Sequence, residues 1–297
     1  MGIRNRIGVG VLIGMIMVLF AGFTACQKGD QQKEDSTVRL VYANWSEGVA
    51  MTNLASVILD EKMGYNVVTK MTDIEQVFEL LNTSEYDVFV DAWLPETHGN
   101  YMQQYGSSLE DLSVVIEEVR TGLVVPAYMD VESISDLNGQ VDVIKGIGSG
   151  AGVMQATHDA LQSYELSLTL EDGSEEAMTE ALDDAIKRRA PIVITGWIPH
   201  WLFNRYDLKF LEDPKNVYGA SEKIHTIARS GFTSDHPQVS LFFERFKLTE
   251  TQLETLMDEM ESMSGNEKQA VKNWMDDHER LVNKWVRGLQ PQRITVM

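Results

Sequence analysis

Three tryptophans stand in one shared setting, and the setting suits an organic cation. Trp45 follows the apolar run 38–43, Trp93 follows 86–90, and Trp197 follows 191–195. Each run reads as a buried strand, and in open α/β sheets ligands bind beyond the carboxyl ends of the strands. Two of the three share a pattern, Trp93-Leu94-Pro95 and Trp197-Ile198-Pro199. An indole face attracts positive charge without demanding a hydrogen bond. A single tryptophan is more often a large core residue. Three in one context, two of them in one pattern, favour a cage for a cation.

The glycine-rich segment Gly146-Ile147-Gly148-Ser149-Gly150-Ala151-Gly152 supplies the opposite chemistry. It lies between an expected strand at 141–144 and an expected helix at 153–163. Backbone amides at a helix N-terminus bind anions. The segment lacks the Lys-Ser/Thr ending of a phosphate loop, and Ala151 breaks the G-x-G-x-x-G spacing. A small carboxylate therefore fits better than a nucleotide, with a plain tight turn as the bland alternative. His98 follows Trp93 by one short loop and is placed to donate to the same carboxylate, although a lone histidine is more often structural.

Catalytic and metal chemistry find no support. There is no H-E-x-x-H, and the six histidines, at 98, 158, 200, 225, 236 and 278, show no metal-ligand spacing. No G-x-S-x-G surrounds Ser149. Cys26 is the sole cysteine, which excludes an intrachain disulfide, a cysteine zinc site and a catalytic thiol in the folded part. The expectation is a chain that is not an enzyme and holds neither metal nor cofactor. Carboxylates at 171–180 and 250–261 read as solvated helix faces. The net charge of −20 argues against nucleic acid, where basic surface supplies most of the affinity.

These residues need a scaffold and an address. Arg4 and Arg6, then an uncharged apolar stretch at 8–23, then Thr24-Ala25-Cys26, read as a bacterial lipoprotein signal peptide over 1–25. Cys26 would carry the lipid, with 26–37 as a polar tether. Loss of residues 1–25, whose only charges are Arg4 and Arg6, takes the net charge to −22. The expected location is extracytoplasmic, in the periplasm or at the cell surface, lipid-anchored to a membrane. From residue 38 on, strands alternate with helices, which predicts an α/β fold. The pattern divides into lobe one at 38–125 and 224–297, and lobe two at 126–223. Trp45 and Trp93 then belong to one lobe and Trp197 to the other, so a cage split across a hinge would close around its ligand. Trp274 and Trp285 recur at helical spacing with other apolar residues and are assigned to core packing.

The chain also resembles a known family. Ile194-Thr195-Gly196-Trp197-Ile198-Pro199-His200-Trp201, then Asp213-Pro214-Lys215, Tyr218-Gly219 and Ile224-His225-Thr226, is similar to the glycine betaine-binding proteins of osmoprotectant ABC importers. Ala92-Trp93-Leu94-Pro95-Glu96-Thr97-His98, Tyr42-Ala43-Asn44-Trp45 and Gly122-Leu123-Val124-Val125-Pro126 match other segments of that family. The resemblance implies a two-lobed periplasmic-binding-protein-like fold with a hinge and ligand cleft. It implies a quaternary ammonium held by Trp45, Trp93 and Trp197, and a carboxylate held by His98 and the amides of Gly152 and Val153. The implied partners are a small zwitterionic quaternary ammonium ligand and the membrane subunits of an ABC transporter. Glycine betaine or proline betaine is the implied ligand, and choline, carnitine or a sulfonium analogue could use the same cage. An exported enzyme acting on a methylated amine and a lipid-anchored sensory module are the readings from other classes.

Overall fold

The computed structural model describes residues 37–289. The expected signal peptide, Cys26 and all of the tether but Thr37 lie outside them. Among the described residues no helix is long and apolar enough to cross a membrane.

The chain begins as alternating strands and helices: β1 (Thr37–Tyr42), α1 (Ser46–Val57), β2 (Asn66–Met71), α2 (Ile74–Asn82), β3 (Val88–Leu94), α3 (Gly99–Tyr105) and β4 (Leu109–Pro126). A second run follows: β5 (Val143–Lys145), α4 (Gly152–Ser163), β6 (Thr169–Glu171), α5 (Glu175–Arg188), β7 (Val193–Ile198), α6 (Leu202–Arg205) and β8 (Leu208–Phe210). The return strand β9 (Glu222–Arg229) leads into α7 (Phe232–Asp235), α8 (Pro237–Arg245), α9 (Glu250–Ser262), α10 (Glu267–Asp277) and α11 (Glu279–Val286).

The strands run in the order β2-β1-β3-β9-β4-β7-β5-β6, with β8 on β4. At each end the pairing is parallel, β1 with β2 and β3, and β5 with β6 and β7. Each parallel group is what strand–helix–strand crossovers produce. The two groups meet through antiparallel partners. Residues 109–119 of β4 pair with β9, and residues 120–124 of the same strand pair with β7. The chain therefore passes between the two halves at Val119–Arg120 and again just before β9.

The sequence pattern predicts two extended segments, 113–119 and 121–127, where one 18-residue strand stands. The two readings differ because each half of β4 pairs with a different partner, so no single alternation spans it. Strands β3 and β7 also run further than their apolar runs, and Trp93 and Trp197 lie inside their last turns of pleat rather than beyond them. Both tryptophan–hydrophobic–proline motifs end in a cis X-Pro bond.

Helix α1 is buried along most of its length through Ala50, Met51, Leu54, Ala55 and Val57, because it lies between the sheet and α9 and α10. Gly64, at φ +73°, turns the chain from the π-helical turn Ile58–Lys62 into β2. Trp285 is buried against Phe246, and Trp274 is 3% exposed. Burial of side chains this size contributes roughly 1.5–3 kcal/mol each, so the helical C-terminal part anchors the half that carries β1–β3.

Candidate binding site

One cavity gathers the residues singled out above. Trp45, Trp93, Trp197, His98, Gly152 and Val153 all line it, together with Glu47, Thr97, Thr121, Ile147 and Ala151. It lies where the two halves of the sheet face each other.

Each tryptophan is fixed by its element. Trp45 is the N-cap residue of α1, in extended conformation, with its indole stacked on the His98 imidazole at 5.7 Å and 11°. Asp91 and Trp93 sit two apart on β3 and so share a face. That register lets Trp93 Nε1 donate to Asp91 Oδ1 at 2.9 Å. Trp197 faces Thr121 of β4 in register. Its Nε1 donates to Glu47 Oε2 at 2.8 Å. Both strand tryptophans therefore rest their polar edge on a buried carboxylate and leave their faces to the cavity.

His98 is completely buried. Its Nδ1 accepts the backbone N–H of Trp93 at 2.9 Å, so the ring proton is on Nε2. Nε2 has no partner in the protein. Burial lowers its pKa to about 3, so the ring is neutral and Nε2–H is a free donor. The loop that carries His98 is held by Glu222 at the start of β9, whose carboxylate accepts from the N–H groups of Glu96 and Thr97 at 2.8 Å each.

Helix α4 supplies further donors. No side chain caps its N-terminus at Ala151. Among the described residues the N–H groups of Gly152 and Val153 donate to no protein acceptor. By contrast α5 is capped, Ala177 N–H donating to Ser174 Oγ at 3.1 Å. Open first-turn amides plus the helix dipole favour an anion. Gly152 is required by close approach, since a Cβ there would lie 2.3 Å from the carbonyl oxygen of Thr97. The Asp213–Gly219 loop braces the same helix: Tyr218 and Thr157 share a hydroxyl hydrogen bond of 2.9 Å, and Asp213 accepts from Tyr218 N–H at 2.8 Å.

The carboxylates behind the cage are the part that sequence reasoning missed. Glu47 and Asp91 are both buried, and each has its pKa raised well above the ordinary range. For Glu47 burial is the main cause, followed by Asp91 and Glu175; its backbone hydrogen bond and Trp197 act against them. For Asp91 burial again leads, opposed by the Trp93 hydrogen bond and reinforced by Glu175. Asp91 Oδ2 has no partner. Gly48 admits it, because a Cβ there would lie 2.6 Å away. A signal existed for Asp91: it is the one charge inside the otherwise apolar run 88–93, two residues before a cage tryptophan.

Ser46 and Glu175 also depart from the sequence reading. The pattern predicts Ser46 as helix cap and Glu175 as solvated surface. Instead Glu175 accepts from Ser46 N–H at 3.0 Å and from Ser46 Oγ, and faces His200 Nε2 at 3.1 Å. Trp201 Nε1 donates to Ser46 Oγ at 3.1 Å. Among the described residues no cluster of histidine, cysteine and acidic groups is arranged to hold a metal.

Comparison with known proteins bears on this geometry. Residues 36–277 match the family model described as the substrate binding domain of an ABC-type glycine betaine transport system. A glycine betaine/carnitine transport binding protein of Listeria monocytogenes is 41% identical over 159 residues, 52% of this chain. The chain spans about half the length of that curated relative, 53%. A lactococcal structure in a closed, glycine betaine-bound conformation is 40% identical, with a TM-score of 0.81, covering 84% of this chain and 99% of that one. A glycine betaine/L-proline-binding protein from Borrelia burgdorferi is 32% identical with the same TM-score, covering 85% and 97%. A choline-binding protein holding choline is 22% identical with a TM-score of 0.81, a likeness of fold alone.

Proposed function

The chain belongs to the family of substrate-binding domains of ABC-type glycine betaine transport systems, and we propose that it captures glycine betaine outside the cytoplasm and presents it to the membrane subunits of an importer. The observation that carries this reading is one small cavity with opposite chemistries at its two ends. Trp45, Trp93 and Trp197 offer π faces to a trimethylammonium group, which has no hydrogen-bond donor to give. Cation–π contact is worth roughly 0.5–2 kcal/mol per face. The unpartnered His98 Nε2–H and the free amides of Gly152 and Val153 offer three donors to a carboxylate. Choline would leave those donors unused, which favours a betaine.

Because the walls come from both halves of the sheet, ligand binding and closure become one event, and the closed form is what a transporter can recognise. The two lobes, 38–125 with 224–297 and 126–223, would move about the two chain crossings beside β4 and β9. The lipid anchor at Cys26 belongs to the same reading, and Cys26→Ala should abolish lipid labelling.

Glycine betaine should raise the melting temperature and quench tryptophan fluorescence, since binding the native state alone stabilises it. Replacing Trp45, Trp93 or Trp197 with Ala should weaken binding by about 1–3 kcal/mol each, whereas Trp274→Ala should destabilise the fold. No response at millimolar betaine, or unchanged affinity in all three cage variants, defeats the proposal.

A further inference from the structure

Three indole faces do not by themselves tell a cation from a neutral group of the same shape. A tert-butyl group and a trimethylammonium group fill space alike and gain similar dispersion. The cavity wall holds one more feature that separates them. Glu47 is 2% exposed, lines the cavity, and is held by Trp197 Nε1. Among the described residues no lysine or arginine pairs with Glu47, Asp91 or Glu175; their partners are indoles, Ser46 and His200.

We propose that Glu47 is the counter-charge of the cation bound between the tryptophans, and the residue that makes the site select a cation over a neutral isostere. This rests on the betaine reading above. It extends that reading from the π faces to a charge behind them.

The groups facing Glu47 come from several elements. They are Asp91 on β3, Trp197 on β7, Thr121 on β4, Glu175 at the head of α5 with His200 against it, and His98 across the cavity. In the empty cavity the two neighbouring carboxylates and burial all favour the protonated form of Glu47. A cation brought into the cage reverses that balance. An opposite charge within a few ångströms shifts a carboxyl titration by about 1–3 units. By linkage the same factor, on the order of 10- to 1000-fold, enters the affinity for the cation. Binding should therefore release a proton to solvent over the pH range where the empty site keeps Glu47 protonated.

The test compares glycine betaine with 3,3-dimethylbutanoate, in which carbon replaces the charged nitrogen. Both carry the same carboxylate, so His98 and the α4 amides cancel in the ratio of affinities. Glu47→Gln keeps an acceptor for Trp197 Nε1 and removes the charge. The variant should lose at least about tenfold in betaine affinity, with the isostere's affinity unchanged or improved. Equal losses for both ligands, or no loss for betaine, overturn the proposal. Wild-type protein that fails to bind betaine at all would instead sink the betaine reading. If the variant does not fold, wild-type titrations at a series of pH values above the ordinary carboxylate range decide. The betaine-to-isostere ratio should rise with pH, with net proton release on betaine binding in buffers of different ionisation enthalpy. A pH-independent ratio without proton release overturns the proposal.

Discussion

Burial gives His98 and Asp91 opposite protonation problems, and both can be read out. His98 has a pKa of about 3 instead of 6.5. Between those values the unfolded chain binds a proton that the native ring refuses, so this group removes stability as pH falls through that window. The same neutrality makes Nε2–H a donor to a carboxylate. His98→Phe keeps a flat ring against Trp45 and deletes the donor. It should cost glycine betaine about 1.5–3 kcal/mol of binding and leave choline binding nearly unchanged. Calorimetric titration with both ligands checks this, and equal losses would mean that His98 only shapes the cavity. Asp91 runs the other way. Its raised pKa means that the native state holds a proton that the unfolded chain gives up above the ordinary value of 3.8, so stability is lost as pH rises. Asp91→Asn retains an acceptor for Trp93 Nε1. It should stabilise the free protein by about 1–3 kcal/mol at neutral pH, with the gain shrinking to nothing near pH 4. Thermal melts across pH would show it, and a gain independent of pH contradicts the argument. The tryptophans, His98 and the α4 amides could be named from types, spacing and resemblance. Glu47 could not, because an acidic residue at the head of a helix looks the same in sequence buried or exposed, whereas Asp91 carried a signal as the one charge inside an apolar strand. Only the register of β3 and the reach of Glu47 at the start of α1 to Trp197 on β7 show which carboxylates meet the indoles.

Elements decide how closely these groups meet. The alternation of strands and helices was plain in the sequence, and the strands read at 38–43, 66–71 and 223–228 match β1, β2 and β9 within a residue or two. Strand ends were harder to place. Residues 165–170 read as one strand, yet β6 starts only at Thr169, where pairing with Val143 of β5 begins. Pairing partners settle such ends, and local composition does not contain them. The start of α4 matters most for function. Gly152 brings the helix N-terminus against the carbonyl of Thr97, beside His98, so donors from two elements converge on one point. Gly152→Ala should hold α4 and the Thr97 loop apart and weaken betaine binding by about 1–3 kcal/mol, the usual cost of overpacking. Gly148→Ala is the control, because a Cβ there meets nothing within 4 Å. Fluorescence titration of both variants tests the point. Equal affinities would show that the close approach is not needed in the bound state.

For the whole molecule, the question is what holds the two halves together once the cavity is filled. The halves touch through direct polar contacts outside the cavity lining. Glu175 of α5 takes the Ser46 N–H and hydroxyl, and Trp201 donates to the same hydroxyl. Ser46 is thus a hub between α1, which packs on β1 and β3, and the segments around β7. These contacts can form only when the halves are close, so they stabilise the closed state and leave the open one untouched. A contact of that kind should act on ligand escape rather than on ligand encounter, since most affinity differences among variants of one site lie in dissociation. Ser46→Ala removes the hydroxyl from both Glu175 and Trp201 while keeping the backbone N–H. Loss of about 1–2 kcal/mol should speed betaine dissociation about 5- to 30-fold and leave the association rate within about twofold. Stopped-flow tryptophan fluorescence separates the two rates. Slower association with unchanged dissociation would show instead that Ser46 organises the open site, and the latch would have to be sought elsewhere.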